Sequence, residues 1–127
     1  MGVIAFALSA CDPDRTYYDD YYYEPGYTTN FVGSWELVSI NSTYIHPEEY
    51  TTYQLWQNGS GDYGFYYRGR WYSEPLSWTL SNDGYHATML YINSSQGRFT
   101  YEVTYISPST MILLDVDTNN QLEYQRF

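Results

Sequence analysis

From Phe31 onward, short apolar runs alternate with clusters of turn-forming residues, and no stretch keeps a helical period for longer than a turn. Two segments, Leu76-Ser77-Trp78-Thr79-Leu80-Ser81 and Phe99-Thr100-Tyr101-Glu102-Val103-Thr104-Tyr105, alternate strictly, as strands with one buried and one wet face must. They send Leu76, Trp78, Leu80, Phe99, Tyr101, Val103 and Tyr105 to one face and Thr100, Glu102 and Thr104 to the other. Asn58-Gly59, Asn82-Asp83-Gly84, Gln96-Gly97, Ser107-Pro108-Ser109 and Thr118-Asn119-Asn120 supply residues that tolerate tight turns or positive φ. The spacing predicts eight strands, near 34–40, 50–57, 61–67, 75–81, 85–92, 98–107, 110–116 and 121–127. Sequential antiparallel hairpins leave two exposed edges, which disappear if the last strand pairs with the first. The expected architecture is therefore all-β, an eight-stranded antiparallel up-and-down barrel, with an interior that side chains fill or that holds one small ligand.

The first thirty residues follow other rules. Residues 1–10 carry no charge and are apolar from Val3 to Leu8, too short a run to span about 30 Å of hydrocarbon and suited instead to an export signal. The basic segment that normally precedes such a run is missing, so the expected start lies upstream of Met1 or the chain is a fragment. Leu8-Ser9-Ala10-Cys11 resembles the lipobox of bacterial lipoproteins, which implies lipidation of the Cys11 thiol and cleavage before it. The alternative is a leftover thiol in an ordinary secretory leader. Several acyl chains, each worth about 0.8 kcal/mol per buried methylene, would attach the protein to a membrane without spanning it. Residues 11–30 are rich in Tyr, Asp, Pro, Gly and Thr and show no period, which reads as a solvated tether or as a sticky aromatic segment. Acidic residues after the Cys resemble the surface-export signals of Bacteroidetes-type lipoproteins, whereas Asp12 in enteric-type sorting implies inner-membrane retention. The expected location is the cell envelope, as an outer-membrane lipoprotein and one able to face outward.

Composition narrows the partners. Among 127 residues, 43% are hydrophobic, 21% aromatic and 16% charged, enough apolar surface for one folded domain over residues 31–127. All five basic residues are Arg, and fifteen acidic ones leave a net charge of -10, which repels phosphate backbones. Nucleic acid is not an expected partner, and the protein is expected to act as a monomer. A single Cys excludes an internal disulfide and any zinc site that needs two thiolates.

Gly33-Ser34-Trp35 resembles the Gly-x-Trp signature of lipocalins, and Arg126 resembles the Arg that packs over that Trp where the barrel closes. Gly33-Ser34-Trp35-Glu36-Leu37, Leu76-Ser77-Trp78, the run from Tyr101 to Leu114 and Glu123-Tyr124-Gln125-Arg126 together resemble small bacterial lipocalin-like lipoproteins of the Bacteroidetes type. The long helix before the last strand and the disulfides of larger lipocalins are missing. The resemblance implies a ligand-binding barrel and structural roles for Gly33, Trp35 and Arg126, the cation over the indole contributing about 0.5–2 kcal/mol.

Catalytic chemistry finds little support. His46 lies in a predicted loop and His86 opens a predicted strand, forty residues apart, which suits neither a triad nor zinc. Asp115-Val116-Asp117-Thr118-Asn119 imitates the start of a calcium loop, but Asn120 stands where Gly is needed and Arg126 where a bidentate Glu is needed. Neither a metal nor another cofactor is expected. Glu48, Glu49, Glu74, Glu102 and Glu123 are scattered carboxylates, with Glu102 and Glu123 on the wet face, and no phosphate loop is present.

Aromatic residues remain. Tyr53, Phe65, Tyr67, Trp78, Tyr91, Phe99, Tyr101 and Tyr105 fall on positions that point one way, as core or as cavity lining. The longest predicted connections, 41–49 and 68–74, bound the end opposite Trp35, which places Tyr44, His46, Trp71 and Tyr72 at the mouth and Trp78, Tyr101 and Tyr105 on the inner wall. The function that follows is non-catalytic binding of a small apolar or sugar ligand, or of a protein partner. Exposed Trp56, Tyr66, Trp71 and Tyr72 would instead form a platform for carbohydrate or another polymer, and an ordered tether would suit a barrel-type enzyme inhibitor.

Overall fold

The computed structural model describes residues 30–82, 85 and 87–127. These form strands β1 (Gly33–Ile40), β2 (Thr43–Tyr44), β3 (Thr51–Leu55), β4 (Ser60–Tyr67), β5 (Arg70–Ser81), β6 (Met89–Ser94), β7 (Gly97–Ile106), β8 (Thr110–Asp115) and β9 (Gln121–Arg126), with a 3-10 turn at Pro47–Glu49. β1 pairs antiparallel with β3, each strand from β3 to β8 pairs antiparallel with the next, and β9 returns to β1. Eight strands thus close into the expected antiparallel barrel. β2 is an addition: Asn41 and Ser42 both take positive φ, as a type I′ hairpin requires, and fold Thr43–Tyr44 back onto the end of β1 that β3 does not reach.

The register decides which side chains meet inside. Trp35, Tyr53, Tyr63, Glu74, Leu76, Trp78, Ile92, Phe99, Tyr101, Leu113 and Tyr124 occupy inward positions that the ladders carry from strand to strand. The buried core runs from Trp35, Phe31 and Leu55 through Leu90, Ile92, Met111 and Leu113 to Tyr53, Tyr101 and Tyr124.

Three expectations are corrected. Residues 68–74 do not form a long loop: Arg68 and Gly69, both at positive φ, make a two-residue turn, and β5 starts at Arg70. Pro75 misleads here, because it lies inside a strand but just before the ladder to β6 begins at Leu76, where a missing N–H is tolerated. The strand predicted from 85 starts at Met89, since Tyr85, 92% exposed, has no face to bury. Tyr105 does not continue the inner face. A bulge between Val103 and Tyr105 shifts the register, so Ile106 lies opposite buried Met111 and Tyr105 turns outward.

The barrel closes where Trp35 pairs with Arg126. Trp35 is fully buried, its indole N–H donating to the Phe31 carbonyl at 2.9 Å, and the Arg126 guanidinium lies 4.2 Å from the ring centroid. The same guanidinium donates to the carbonyls of Val32 (2.6 Å), Asn30 (3.1 Å) and Pro108 (2.6 Å). A Cβ at Gly33 would collide with this group, and its φ of +141° also favours glycine.

Trp35→Ala should cost about 3–5 kcal/mol, and Arg126→Ala should destabilise as well. In a denaturant-unfolding double-mutant cycle the two effects should be less than additive, because each removes the same stack. Strict additivity would show that the pair does not interact.

Candidate functional site

Four turns gather at the end opposite Trp35: residues 41–50, Arg68-Gly69, Ser95-Gln96 and 116–120. The inner wall below them is a graded aromatic column. Its floor is Tyr53, Tyr101 and Tyr124, all buried, with the Tyr53 and Tyr101 hydroxyl oxygens 2.6 Å apart and the Tyr53 and Tyr124 rings 5.4 Å apart. Tyr63 packs on Tyr53 at 5.3 Å, Phe65 stacks on Tyr63 at 4.9 Å and Tyr72 stacks on Phe65 at 5.9 Å. Phe99 meets the edge of Tyr63 at 5.5 Å. Exposure rises along the column, from buried Tyr53 through half-buried Tyr63 and Phe65 to exposed Tyr72.

One carboxylate interrupts this apolar wall. Glu74 lies beside Tyr63 in the β4–β5 register; its Oε2 accepts a hydrogen bond from Gln96 Nε2 at 3.2 Å, while its Oε1 is buried without a partner. A buried oxygen left unpaired costs about 1–3 kcal/mol or more when charged, which makes it a strong hydrogen-bond acceptor on this wall.

The phenols stay protonated. Burial, reinforced by the neighbouring tyrosines, pushes Tyr53 and Tyr101 well above the ordinary value, and burial raises Tyr124 likewise. Tyr63 is raised by burial and then by the Glu74 charge. These hydroxyls can donate and accept hydrogen bonds but are poor nucleophiles.

Of the residues expected at the mouth or inner wall, Tyr72 and Tyr101 belong to this column. The others are elsewhere. Trp78 is buried at the Trp35 end, its indole N–H donating to the carbonyls of Trp56 (2.9 Å) and Ser60 (3.2 Å). Tyr44, on β2, is 89% exposed. His46 precedes the 3-10 turn, exposed, its backbone N–H donating to Glu49 Oε1 at 2.8 Å. Trp71 is on β5 but on the outer face, one residue out of phase with Tyr72. Tyr105 has turned outward, as described above. The sequence reading missed Glu74 as an inner residue because it placed a loop there; the signal was the alternation of Leu76, Trp78 and Leu80, which continues backward to Glu74 and Tyr72.

Asp115 to Asn120 forms a polar turn in which Asp115 Oδ1 accepts the backbone N–H groups of Asp117 (2.9 Å) and Thr118 (3.3 Å). Among the described residues, no three His, Cys, Asp or Glu side chains converge on a common point. Cys11, the tether and His86 lie outside the described residues.

The barrel is similar to that of a lipocalin-like protein from Bacteroides uniformis, with a TM-score of 0.59 at 14% sequence identity, over 77% of this chain and 99% of that one. The chain has a lipocalin-like fold. No protein-family model and no curated protein matches its sequence. In this lipocalin-like barrel the Trp35–Arg126 stack lies at one end and the aromatic column leads to the other.

The raised phenols set a pH dependence with a definite sign. Below about pH 10 both folded and unfolded chains keep these tyrosines protonated, and stability does not depend on them. Above it the unfolded chain releases protons that the lipocalin-like barrel retains, so stability should fall as pH rises toward the folded values. Urea midpoints should decline over about pH 10–12, and phenolate absorbance should show tyrosines that ionise only on unfolding. A flat midpoint across that range would contradict the burial of the three hydroxyls.

Proposed function

We propose that the protein is a lipid-anchored component of a bacterial cell envelope, attached through Cys11, whose lipocalin-like barrel binds a small ligand without catalysis. The ligand enters at the end opposite Trp35, lies against Tyr72, Phe65 and Phe99, and donates a hydrogen bond to Glu74. The carrying observation is Glu74 Oε1, buried and unpaired on an otherwise aromatic wall. A purely apolar ligand would leave that oxygen unsatisfied, whereas one with an N–H or O–H group on an apolar body satisfies both wall and carboxylate. Protonated phenols below offer further hydrogen bonds and no activated nucleophile, in keeping with binding rather than turnover.

N-phenylnaphthylamine, an apolar fluorophore with one N–H, tests the site. Its fluorescence should rise on binding, and Tyr72→Ala and Glu74→Ala should each weaken binding severalfold while Tyr44→Ala leaves it unchanged. No enhancement, or equal binding by all three variants, would overturn the open-end site. For the anchor, the protein expressed with its leader should partition into detergent and Cys11→Ser should remain aqueous. Unmodified Cys11 in membrane-derived protein, seen by mass spectrometry, would overturn lipidation.

A further inference from the structure

The outer face of β3, β4 and β5 carries a second concave surface, separate from the interior. At its upper edge the Trp71 indole approaches β4 closely because Gly64 has no side chain; a Cβ there would collide with the indole and with Thr52 Oγ1. Tyr66 meets the indole edge-on, at 5.0 Å between centroids and 70° between planes, and Tyr50 packs against it at 5.8 Å. Tyr50 is itself fixed, its hydroxyl donating to Glu36 Oε1 at 2.6 Å, and burial, followed by this bond, pushes the phenol up to about 12. The result is a braced aromatic ring that remains 43% exposed.

Below the indole is a groove of about 330 Å³, floored by Thr52, Gln54, Asp62 and Ser73, with Phe127 among its walls. Among the described residues, none of these four polar side chains has a hydrogen-bond partner. They sit on adjacent strands in register: Thr52 opposite Gly64 and Ser73 beyond it, Gln54 opposite Asp62. An exposed aromatic plate next to a carboxylate, an amide and two hydroxyls is a specific combination.

We propose that this outer groove binds a neutral oligosaccharide, one sugar ring stacked on Trp71 and its hydroxyls bonded to Asp62, Gln54, Thr52 and Ser73. A pyranose presents apolar C–H bonds on its face and hydroxyls around its rim, which matches a plate bordered by polar groups. Asp62 accepts from two neighbouring hydroxyls, and the Gln54 amide both donates and accepts. Other ligand classes fit less well. An apolar ligand would strip water from Asp62 and Gln54 without replacing it. An anion would meet Asp62 on a protein of net charge -10. A peptide adding as a strand has no free edge, since β3, β4 and β5 are each paired on both sides. The site is independent of the open end of the barrel, and either can exist without the other.

Neutral hexasaccharides of β-linked glucose, xylose and mannose and of α-linked glucose, titrated by tryptophan fluorescence and by calorimetry, provide the test. At least one should bind, with little dependence on salt. Trp71→Ala and Asp62→Asn should each weaken it about tenfold or more, a loss of about 1.4 kcal/mol. Ser73→Tyr, which fills the groove from an exposed position, should abolish binding if Trp71→Ala proves unfolded. Tyr72→Ala, on the inner face, should bind as the parent does. No binding by any of the four sugars, or binding that survives Ser73→Tyr, would overturn the proposal; binding lost in Tyr72→Ala and retained in Asp62→Asn would move the sugar into the barrel and overturn it equally.

Discussion

One guanidinium holds the bottom of this barrel together. Arg126 spreads over the Trp35 indole and sends its N–H groups to three carbonyls, two in the segment that leads into β1 and one in the turn between β7 and β8. Stacking alone would be modest, about 0.5–2 kcal/mol. Its weight comes from what would be stranded without it, since a planar fork supplies donors in a fixed geometry that lysine cannot imitate. The β1–β9 seam, the leading segment and the β7–β8 turn all converge on that single side chain. Gly33 is the space it occupies.

Above this base the interior changes character in tiers. Aliphatic and indole side chains fill the closed end, phenols bridge the middle, and aromatic rings with one carboxylate line the upper wall. A gradient of this kind separates the demands of stability from those of recognition. The lower tiers are dry and tightly packed, so a change there unfolds the protein. The upper tier is half solvated and can change with less damage, which is where a barrel can afford an unsatisfied oxygen such as that of Glu74.

Much of the fold was legible because a strand's period of two is a strong signal when one face is buried. Leu76 to Ser81 and Phe99 to Val103 kept that period, and the closing pair was marked by Gly33, Trp35 and Arg126. What alternation cannot show is a slip in phase. The bulge before Tyr105 inserts one residue into β7, and every inference drawn beyond it by counting in twos points the wrong way. A proline inside β5 had a similar effect, hiding five residues of strand and with them the inward position of Glu74. The outer groove was still less visible: it depends on Gly64, Trp71 and Thr52 meeting across three strands, and glycine in a strand reads as weakness until the ring that lies on it is seen.

The seam between β1 and β9 also governs when the molecule can fold. It pairs residues 35–40 with residues 122–126, so the chain must be made nearly to residue 126 before the first strand finds its second neighbour. Until then β1 is an open edge, and Trp35 has neither its cation nor its dry surroundings. Contacts so far apart in sequence make folding slow, because the entropy of a long loop is lost before any contact repays it. A nascent chain therefore lacks its closing seam until nearly all of the domain has been made, and the barrel locks only once both ends of the domain are present together.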